Sequence, residues 1–375
     1  MKIYLVGGAV RDQLLGLPIS DKDWVVVDSH EKEMLELGFK KVGKNFPVFL
    51  HPVTHEEYAL ARKEKKTGLG YHGFDFRTVP KVSLFDDLIR RDLTISAMAR
   101  DTTGILYDPF GGAKDIEKKI LKHTSNAFCE DPLRVIRVAR FAARFSFLGF
   151  TIAKETLSLI RKMVKKNELS ILSGERIYHE ICKAFSTKNP EIFFQVLHQV
   201  EVFKHIILPL QNLLIDQKKI FLPLVKATKL NCSNIRTLFT LFMYQVKKQD
   251  DIVEISNILK LPKELTRLII DTHCYHNMIN KLTEYNSYQI LKILKKTNAL
   301  RSIKHMRRVI KICYFIAKSD DVKNPTVGVT LKIIKTLHSE SYKSIIKLYK
   351  PDRIGKQIKK KQLTLIENTL HKLKD

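Results

Sequence analysis

The chain has one tryptophan, five cysteines and 15 glycines in 375 residues, and nowhere do 18 apolar residues run together. Without such a run there is nothing to form a membrane span, and the strand-like Lys2–Val6 argues against a signal peptide. Cys129, Cys182, Cys232, Cys274 and Cys313 are odd in number and include no Cys-x-x-Cys spacing. That speaks against a disulfide or zinc framework and predicts a reducing, cytoplasmic setting. Acidic residues are scarce, 39 against 66 lysines and arginines, for a net charge of +27. The shortage is not uniform: residues 1–130 carry a net +1 and the remaining 245 a net +26. A surface of that sign attracts phosphate backbones in a salt-dependent way. Plain lysine enrichment is the competing reading.

Apolar residues make up 44 %, enough to fill two or three domain cores. Ile3–Val6, Trp24–Val27, Phe46–Leu50 and Tyr58–Ala61 read as strands, and Val10–Leu15 and Glu31–Leu37 as helices. Lys63–Val79, with Gly68, Gly70 and Gly73, reads as a loop and a candidate moving part. From Asp131 strand signals vanish and helical patterns continue almost to the end. They are punctuated near Gly174, Asn189-Pro190, Pro209, Pro262 and Asn324-Pro325, and close on a helix over Gln362–Lys374. The basic run Lys356–Lys361 before that helix reads as a solvated face. The expected class is α+β: a head with a mixed sheet over 1–125, a helical neck over 126–187, and a helical, basic body and tail over 188–375.

Chemistry concentrates in three segments. Gly7-Gly8-Ala9-Val10-Arg11-Asp12 is followed by Asp21-Lys22-Asp23 leading into Trp24–Val27. Glycines opening a helix let backbone N–H groups approach phosphate oxygens. Asp21 and Asp23, on one face of a strand and about 7 Å apart, can bridge hard cations such as Mg²⁺ of the kind that serve in-line phosphoryl displacement. Lys22 points away. Arg11, one turn past the glycines, could meet a triphosphate oxygen or form a surface ion pair. Glu57 could add a third carboxylate, although a paired strand residue is the favoured reading.

The second segment, Asp86 to Ala97, alternates charged and apolar residues at helical spacing and contains Arg90, Arg91 and Asp92. Its arginines suit phosphate or ribose, and an amphipathic helix with local ion pairs explains it as well. In the third, Arg134, Arg137, Arg140 and Arg144 fall within one wedge of a helix, opposite Val135, Val138, Ala139, Ala142 and Ala143. Four like charges on one face call for an anionic partner, or are simply solvated. Asp131-Pro132 has the form of an N-cap with proline at the first helical position.

Together and in this order, the three segments resemble the class II tRNA nucleotidyltransferases, the CCA-adding enzymes of bacteria. His51-Pro52, Asp108-Pro109-Phe110-Gly111 and Glu175-Arg176-Ile177 add to the resemblance, which is close through about residue 210. It implies a polymerase-beta-like head and addition of C, C and A to the tRNA 3′ end from CTP and ATP, with pyrophosphate release. In that likeness Asp21 and Asp23 hold Mg²⁺. Gly8, Arg11, Arg91, Arg137 and Arg140 bind the nucleotide, and Asp131 and Arg134 face its base. The basic body grips the acceptor and T-arm backbone. The last pair makes chemical sense: a carboxylate acceptor beside a guanidinium donor matches the amino group and ring nitrogen of C and A, and mismatches U and G.

Two departures stand out. Ser96 occupies a place where these enzymes usually carry asparagine. Many relatives also carry a C-terminal HD phosphohydrolase domain, but no His-Asp dipeptide occurs in this chain. Met243-Tyr244 and His273-Cys274 stand where such pairs would be, and methionine and tyrosine do not make a hard-metal site. Phosphohydrolase activity is therefore expected to be absent, and His273 with His276 reads as ordinary helix histidines before a metal pair. The alternatives are a poly(A) polymerase, a partial enzyme adding only A or only C–C, and an inactive RNA-binding module.

Overall fold

Strand β1 (Lys2–Val6) lies at the heart of the architecture, paired antiparallel with β2 (Asp23–Val27) in the register Val6↔Asp23. The computed structural model describes residues 1–19, 21–42, 48–61, 63–66, 74–77, 82–322 and 326–372, with 63–66, 74–77 and residue 218 described by backbone alone. The chain divides into two compact units, Met1–Leu208 and Pro209–Asp375.

In the first unit, β3 (Lys40–Val42), β4 (Val48–Leu50) and β5 (Glu57–Leu60) extend the sheet beyond β2. A separate antiparallel pair follows, β6 (Lys63–Lys66) with β7 (Phe74–Arg77), and then β8 (Ala99–Asp101) and β9 (Leu106–Tyr107) complete the main sheet. Its order is β3-β4-β5-β2-β1-β8-β9, and it is mixed because β2 and β5 run parallel among otherwise antiparallel pairs. Strand alternation sorts the two faces. Val25 and Val27 join Tyr4, Val6, Ala61 and Leu88 on one side, while Val26 packs with Met34, Phe49, Tyr58 and Leu60 on the other.

The helices of this unit are α1 (Gly8–Leu14), α2 (Glu31–Glu36), α3 (Leu84–Ile89), α4 (Gly112–Glu117), α5 (Leu133–Phe145), α6 (Lys154–Lys165), α7 (Gly174–Phe185), α8 (Glu191–Gln199) and α9 (Val202–Ile206). The second unit is helical: α10 (Leu208–Leu213) spans its start, followed by α11 (Gln217–Lys229), α12 (Ile235–Met243), α13 (Gln249–Ile258), α14 (Lys263–Asn280), α15 (Ser287–Lys296), α16 (Ile303–Ser319), α17 (Val327–Ser339), α18 (Lys343–Leu348) and α19 (Pro351–His371). Among the described residues no helix is long and apolar enough to cross a membrane.

Several expectations need correcting. Lys63–Val79 contains the β6–β7 hairpin rather than a plain loop, and residues 67–73, with their glycines, lie outside the described residues. Glycine density hid the alternation of Phe74-Asp75-Phe76-Arg77. The strand read at Phe46–Leu50 is described only from Val48. A two-residue strand, β11 (Thr151–Ile152), follows Asp131 and pairs in parallel with β10 (Ile120–Leu121). The last helix begins at Pro351, eleven residues before Gln362, and absorbs the basic run, because proline at the first turn starts a helix without losing a hydrogen bond. Gly174, Pro190, Pro209 and Pro262 all fall at helix starts, and Asn324-Pro325 lies outside the described residues. Asp86–Ala97 is not one helix: α3 stops at Ile89 and a single 3-10 turn covers Thr94–Ser96.

Candidate active site

The chain leaves β1 at Val6 and turns into α1 through Gly7, whose φ of 68° lies in the left-handed region. A Cβ on Gly7 would stand 2.6 Å from Nη1 of Arg91, so the turn and that arginine are in direct apposition. The Gly7 N–H donates to the Met98 carbonyl at 3.1 Å, and is therefore not offered to a ligand. At Gly8 a Cβ would lie 3.4 Å from Nη2 of Arg11. Both glycines thus make room for arginines.

The register Val6↔Asp23 sets Asp23 beside this turn. Asp23 opens β2, on the face shared with Val25 and Val27. Its carboxylate is exposed and meets no basic side chain among the described residues. Asp21 lies before the strand, not within it, so the pairing of both aspartates on one strand face needs correcting: alternation extends only from Asp23. Lys22 does point away, to Glu56 at 3.3 Å, which also accepts from the Trp24 indole at 2.9 Å. Glu57 is the parallel partner of Asp23 in β5 and so shares its face. It is exposed, and it is a paired strand residue, with Asp23 on one side and Leu50 on the other. Hard oxygen donors of this kind fit Mg²⁺, which takes one or two carboxylates and completes its shell with water and substrate phosphates. Among the described residues no group of three or more metal-ligating side chains is assembled.

Arg11 is only 3 % exposed. Its guanidinium donates to Asp12 Oδ1 at 2.8 Å and to Ser96 Oγ at 3.2 Å, and lies 5.3 and 5.0 Å from the ring centres of Phe141 and Phe145. The surface ion pair considered for it is a buried one. Burial lowers the Arg11 pKa against the opposing pull of Asp12. Ser96 joins two arginines, since Arg91 Nη1 reaches its carbonyl at 3.5 Å. The Asp108-Pro109-Phe110-Gly111 segment supports that turn from behind. Asp108 accepts from the N–H groups of Gly112 and Ala113 at 2.7 and 2.9 Å, capping α4, and a Cβ on Gly112 would strike the Thr94 carbonyl at 2.3 Å.

The arginines of α5 do not form an open basic face. Arg137 donates to Asp92 at 2.7 Å, Arg140 to Glu180, and Arg144 to Asp12 at 2.8 Å, while Arg134 reaches the Ala127 carbonyl. The anionic partners called for by the spacing are largely the protein's own carboxylates. Arg134 and Arg140 are each 8 % exposed, and Arg137 is the more accessible. Val135, Val138, Ala139, Ala142 and Ala143 are buried, as their periodicity predicts. The helix begins one residue later than expected, at Leu133, yet Asp131 still caps it: Oδ1 accepts from the Leu133 N–H at 3.1 Å. Its Oδ2 accepts from Arg176 at 2.9 Å.

Four carboxylates that hold these arginines escaped the sequence reading as site residues: Asp12, Asp87, Asp92 and Glu180. Asp87, fully buried, binds both Arg90 and Arg91. The Asp87–Arg90 and Asp87–Arg91 spacings of three and four and the Arg11-Asp12 adjacency were readable locally; Asp92–Arg137, Glu180–Arg140 and Asp12–Arg144 are separated by 45, 40 and 132 positions. Burial works against the charged forms of Asp87, Asp92 and Glu180, but the arginines outweigh it and hold all three carboxyls below their ordinary range. Lowered folded pKa values give stability that is complete above the unfolded carboxylate value of about 4 and is lost as pH falls through the folded values. Thermal melts from pH 7 to 2 should therefore stay level to about pH 4 and then drop, and Asp92→Asn should reduce that acid dependence. An unchanged acid limb in the variant would remove Asp92 from the network.

In the second unit, Nδ1 of His273 lies 2.9 Å from the Tyr244 carbonyl, and Nδ1 of His276 lies 3.0 and 3.1 Å from those of Thr272 and His273. Met243 and Tyr244 are buried. These are the contacts of packed helix histidines.

The family described as "Poly A polymerase head domain" matches residues 3–122, and that described as "Probable RNA and SrmB- binding site of polymerase A" matches 149–214. A CCA-adding enzyme of Actinobacillus succinogenes is 38 % identical over 393 residues, covering 98 % of each chain. Among solved structures, an apo CCA-adding enzyme superposes with a TM-score of 0.72 at 23 % identity, over 99 % of this chain and 90 % of that one. The Thermotoga maritima CCA-adding enzyme complexed with tRNA gives 0.68 at 20 %, over 99 % and 91 %. These two structures share the fold.

Proposed function

The chain belongs to the family of CCA-adding enzymes, and we propose that the β1–α1 turn with its arginines carries template-independent addition of C, C and A to the 3′ end of tRNA. The tRNA 3′-hydroxyl attacks the α-phosphorus of CTP or ATP, and pyrophosphate leaves. The observation that carries this reading is the convergence at one end of β1 of Gly7, Asp23 and Arg91, with Arg11 joined through Ser96.

Asp21 and Asp23 would hold Mg²⁺, which supplies Lewis-acid stabilisation of charge on the reacting oxygens. Arg91, braced by Asp87, and Arg137, braced by Asp92, present fixed forks to the triphosphate. Gly8 lets the backbone approach, and Arg11 and Arg140 lend charge from below. Asp131 keeps lone pairs free beyond its two bonds and accepts from the amino group of cytosine or adenine, while Arg134 donates to the ring nitrogen. In this reading residues 1–125 are the catalytic head, 126–187 the neck, and 188–375 the tRNA-binding body and tail. Five free cysteines accord with work in the cytoplasm.

A tRNA transcript lacking its last three nucleotides, given Mg²⁺ and each NTP separately and then mixed, tests the proposal. Growth by C, C and A followed by a stop is expected. A long A tail without CTP use would indicate a poly(A) polymerase, A added only after C–C a partial enzyme, and no growth a binding module. In the same preparation, a 2′,3′-cyclic phosphate substrate should remain intact with any divalent metal. Its hydrolysis would overturn the reading of Met243-Tyr244 and His273-Cys274 as a lost HD site.

A further inference from the structure

Helices α16 and α17 of the second unit border an apolar groove that takes no part in the site above. Its volume is about 310 Å³. The apolar part of its lining is Ile310 and Tyr314 from α16 with Val327 and Leu331 from α17. Each pair is four residues apart, one helical turn, so the two helices each contribute a short apolar row. Ile310 is buried, Val327 and Leu331 are half-buried, and Tyr314 is 39 % exposed. Gly328, beside Val327, adds no side chain, and a Cβ there would meet nothing within 4 Å, which leaves the groove open at that end.

Cations of one sign surround these rows. Arg307, Lys311 and Lys335 complete the lining and are exposed, and Lys318 Nζ lies 5.8 Å from the Tyr314 ring centre. Neither α16 nor α17 contains an aspartate or a glutamate. The carboxylates that follow them in the chain are engaged elsewhere, Asp321 by Lys226 at 3.3 Å and Glu340 by Lys361 at 3.6 Å. Among the described residues no carboxylate pairs with Arg307, Lys311 or Lys335. An apolar centre with a polar rim is the anatomy of a protein interface, and tyrosine and arginine are its commonest anchors. Here the whole rim is cationic.

We propose that this groove docks an acidic amphipathic helix of another protein, with the apolar face of that helix on Ile310, Tyr314, Val327 and Leu331 and its carboxylates on Arg307, Lys311 and Lys335. The lining spans residues 307 to 314 of one helix and 327 to 335 of the other, about 10–12 Å at helical rise. That length takes two turns of a helix laid in a groove, a mode read through apolar anchors at i, i+4 and i+7. An RNA backbone would meet the cations but leave Ile310, Val327 and Leu331 uncovered, and one tyrosine makes a poor platform for stacked bases. A second copy is a poor match as well, because residues 131–375 carry a net +26 and like charges across an interface repel. Lipid surfaces take helices whose apolar side chains project from one face, whereas Ile310 is only 1 % exposed.

The probe is a fluorescein-labelled helical peptide of about 18 residues, with leucines along one face, glutamates flanking them and alanine elsewhere. Its binding to the full chain is followed by fluorescence anisotropy, and a dissociation constant below about 100 μM is expected. A peptide of the same composition, scrambled to remove the apolar face, should bind at least about tenfold more weakly. Leu331→Glu, and Lys311→Glu with Lys335→Glu, should each weaken the amphipathic peptide by at least about tenfold. Lys247→Glu with Lys248→Glu, exposed lysines elsewhere in the unit, should stay within about threefold. A peptide with lysine flanks in place of glutamate should prefer the Lys311→Glu, Lys335→Glu variant over the unaltered chain by at least about tenfold, which also shows that this variant is folded. No binding of the amphipathic peptide, or equal binding of the scrambled one, would overturn the proposal. Displacement of the peptide in step with tRNA occupancy would overturn it by giving the groove to RNA. Self-association of the unaltered chain in sedimentation, lost in Leu331→Glu, would overturn it in favour of a second copy.

Discussion

Replacing Asp21 and Asp23 together by alanine is expected to lower CTP incorporation at least about a thousandfold while leaving tRNA affinity within about twofold of the unaltered chain. The separation of the two readouts follows from where charge sits. The aspartates stand at the entrance to β2, and Asp23 is exposed with no basic partner among the described residues. Its removal therefore orphans no buried cation and should move the melting temperature little. The basic body and tail proposed to hold RNA, residues 188–375, are far along the chain from β2. Single variants place the weight: Asp23→Ala, on the ordered strand, should match the double variant. Near-normal incorporation by the double variant would end the two-carboxylate assignment. Glu57→Ala is the informative companion, because the register sets Glu57 on the face of Asp23. A loss comparable to that of Asp23→Ala would make it a working carboxylate rather than a passive strand residue.

The strands that bring these groups together were legible where alternation was strong. Tyr58–Ala61 and Trp24–Val27 each fell within a residue of the strands observed. What the pattern lacked was pairing. Nothing in the order of residues says that β5 lies beside β2 in parallel, and only that neighbourhood puts Glu57 next to Asp23. The same holds for charge. The wedge of arginines on α5 was visible at helical spacing, and its need for anions was a sound electrostatic inference. The identity of those anions depends on Asp12, Asp92 and Glu180 arriving from remote parts of the chain. Periodicity reports which face a residue occupies, and the fold decides what that face meets. The hairpin within Lys63–Val79 was missed for a related reason. A two-stranded ribbon is held by backbone hydrogen bonds, which leave little hydrophobic trace in composition.

Asp12→Ala should be the most destabilising of the charge deletions in the first unit. Asp12 is 4 % exposed and binds Arg11 through one oxygen and Arg144 through the other, joining α1 to α5. Arg144 can turn to water, being about a third exposed, but Arg11 cannot. A buried guanidinium stripped of its carboxylate costs about 3–5 kcal/mol, which in a unit of this size lowers the melting temperature by roughly 6–20 °C. A shift under about 2 °C would mean that Phe141, Phe145 and Ser96 alone suffice to hold Arg11. The double variant Arg11→Met with Asp12→Leu separates stability from function. With both charges gone, the apolar pair packs against the Phe141 and Phe145 rings, and most of the lost stability should return. Nucleotide incorporation should not return with it, remaining about 10- to 100-fold down, the worth of one charge-assisted hydrogen bond. Recovery of stability without activity would identify the buried pair as retained for the phosphates it serves, since an apolar pair would hold the two helices equally well.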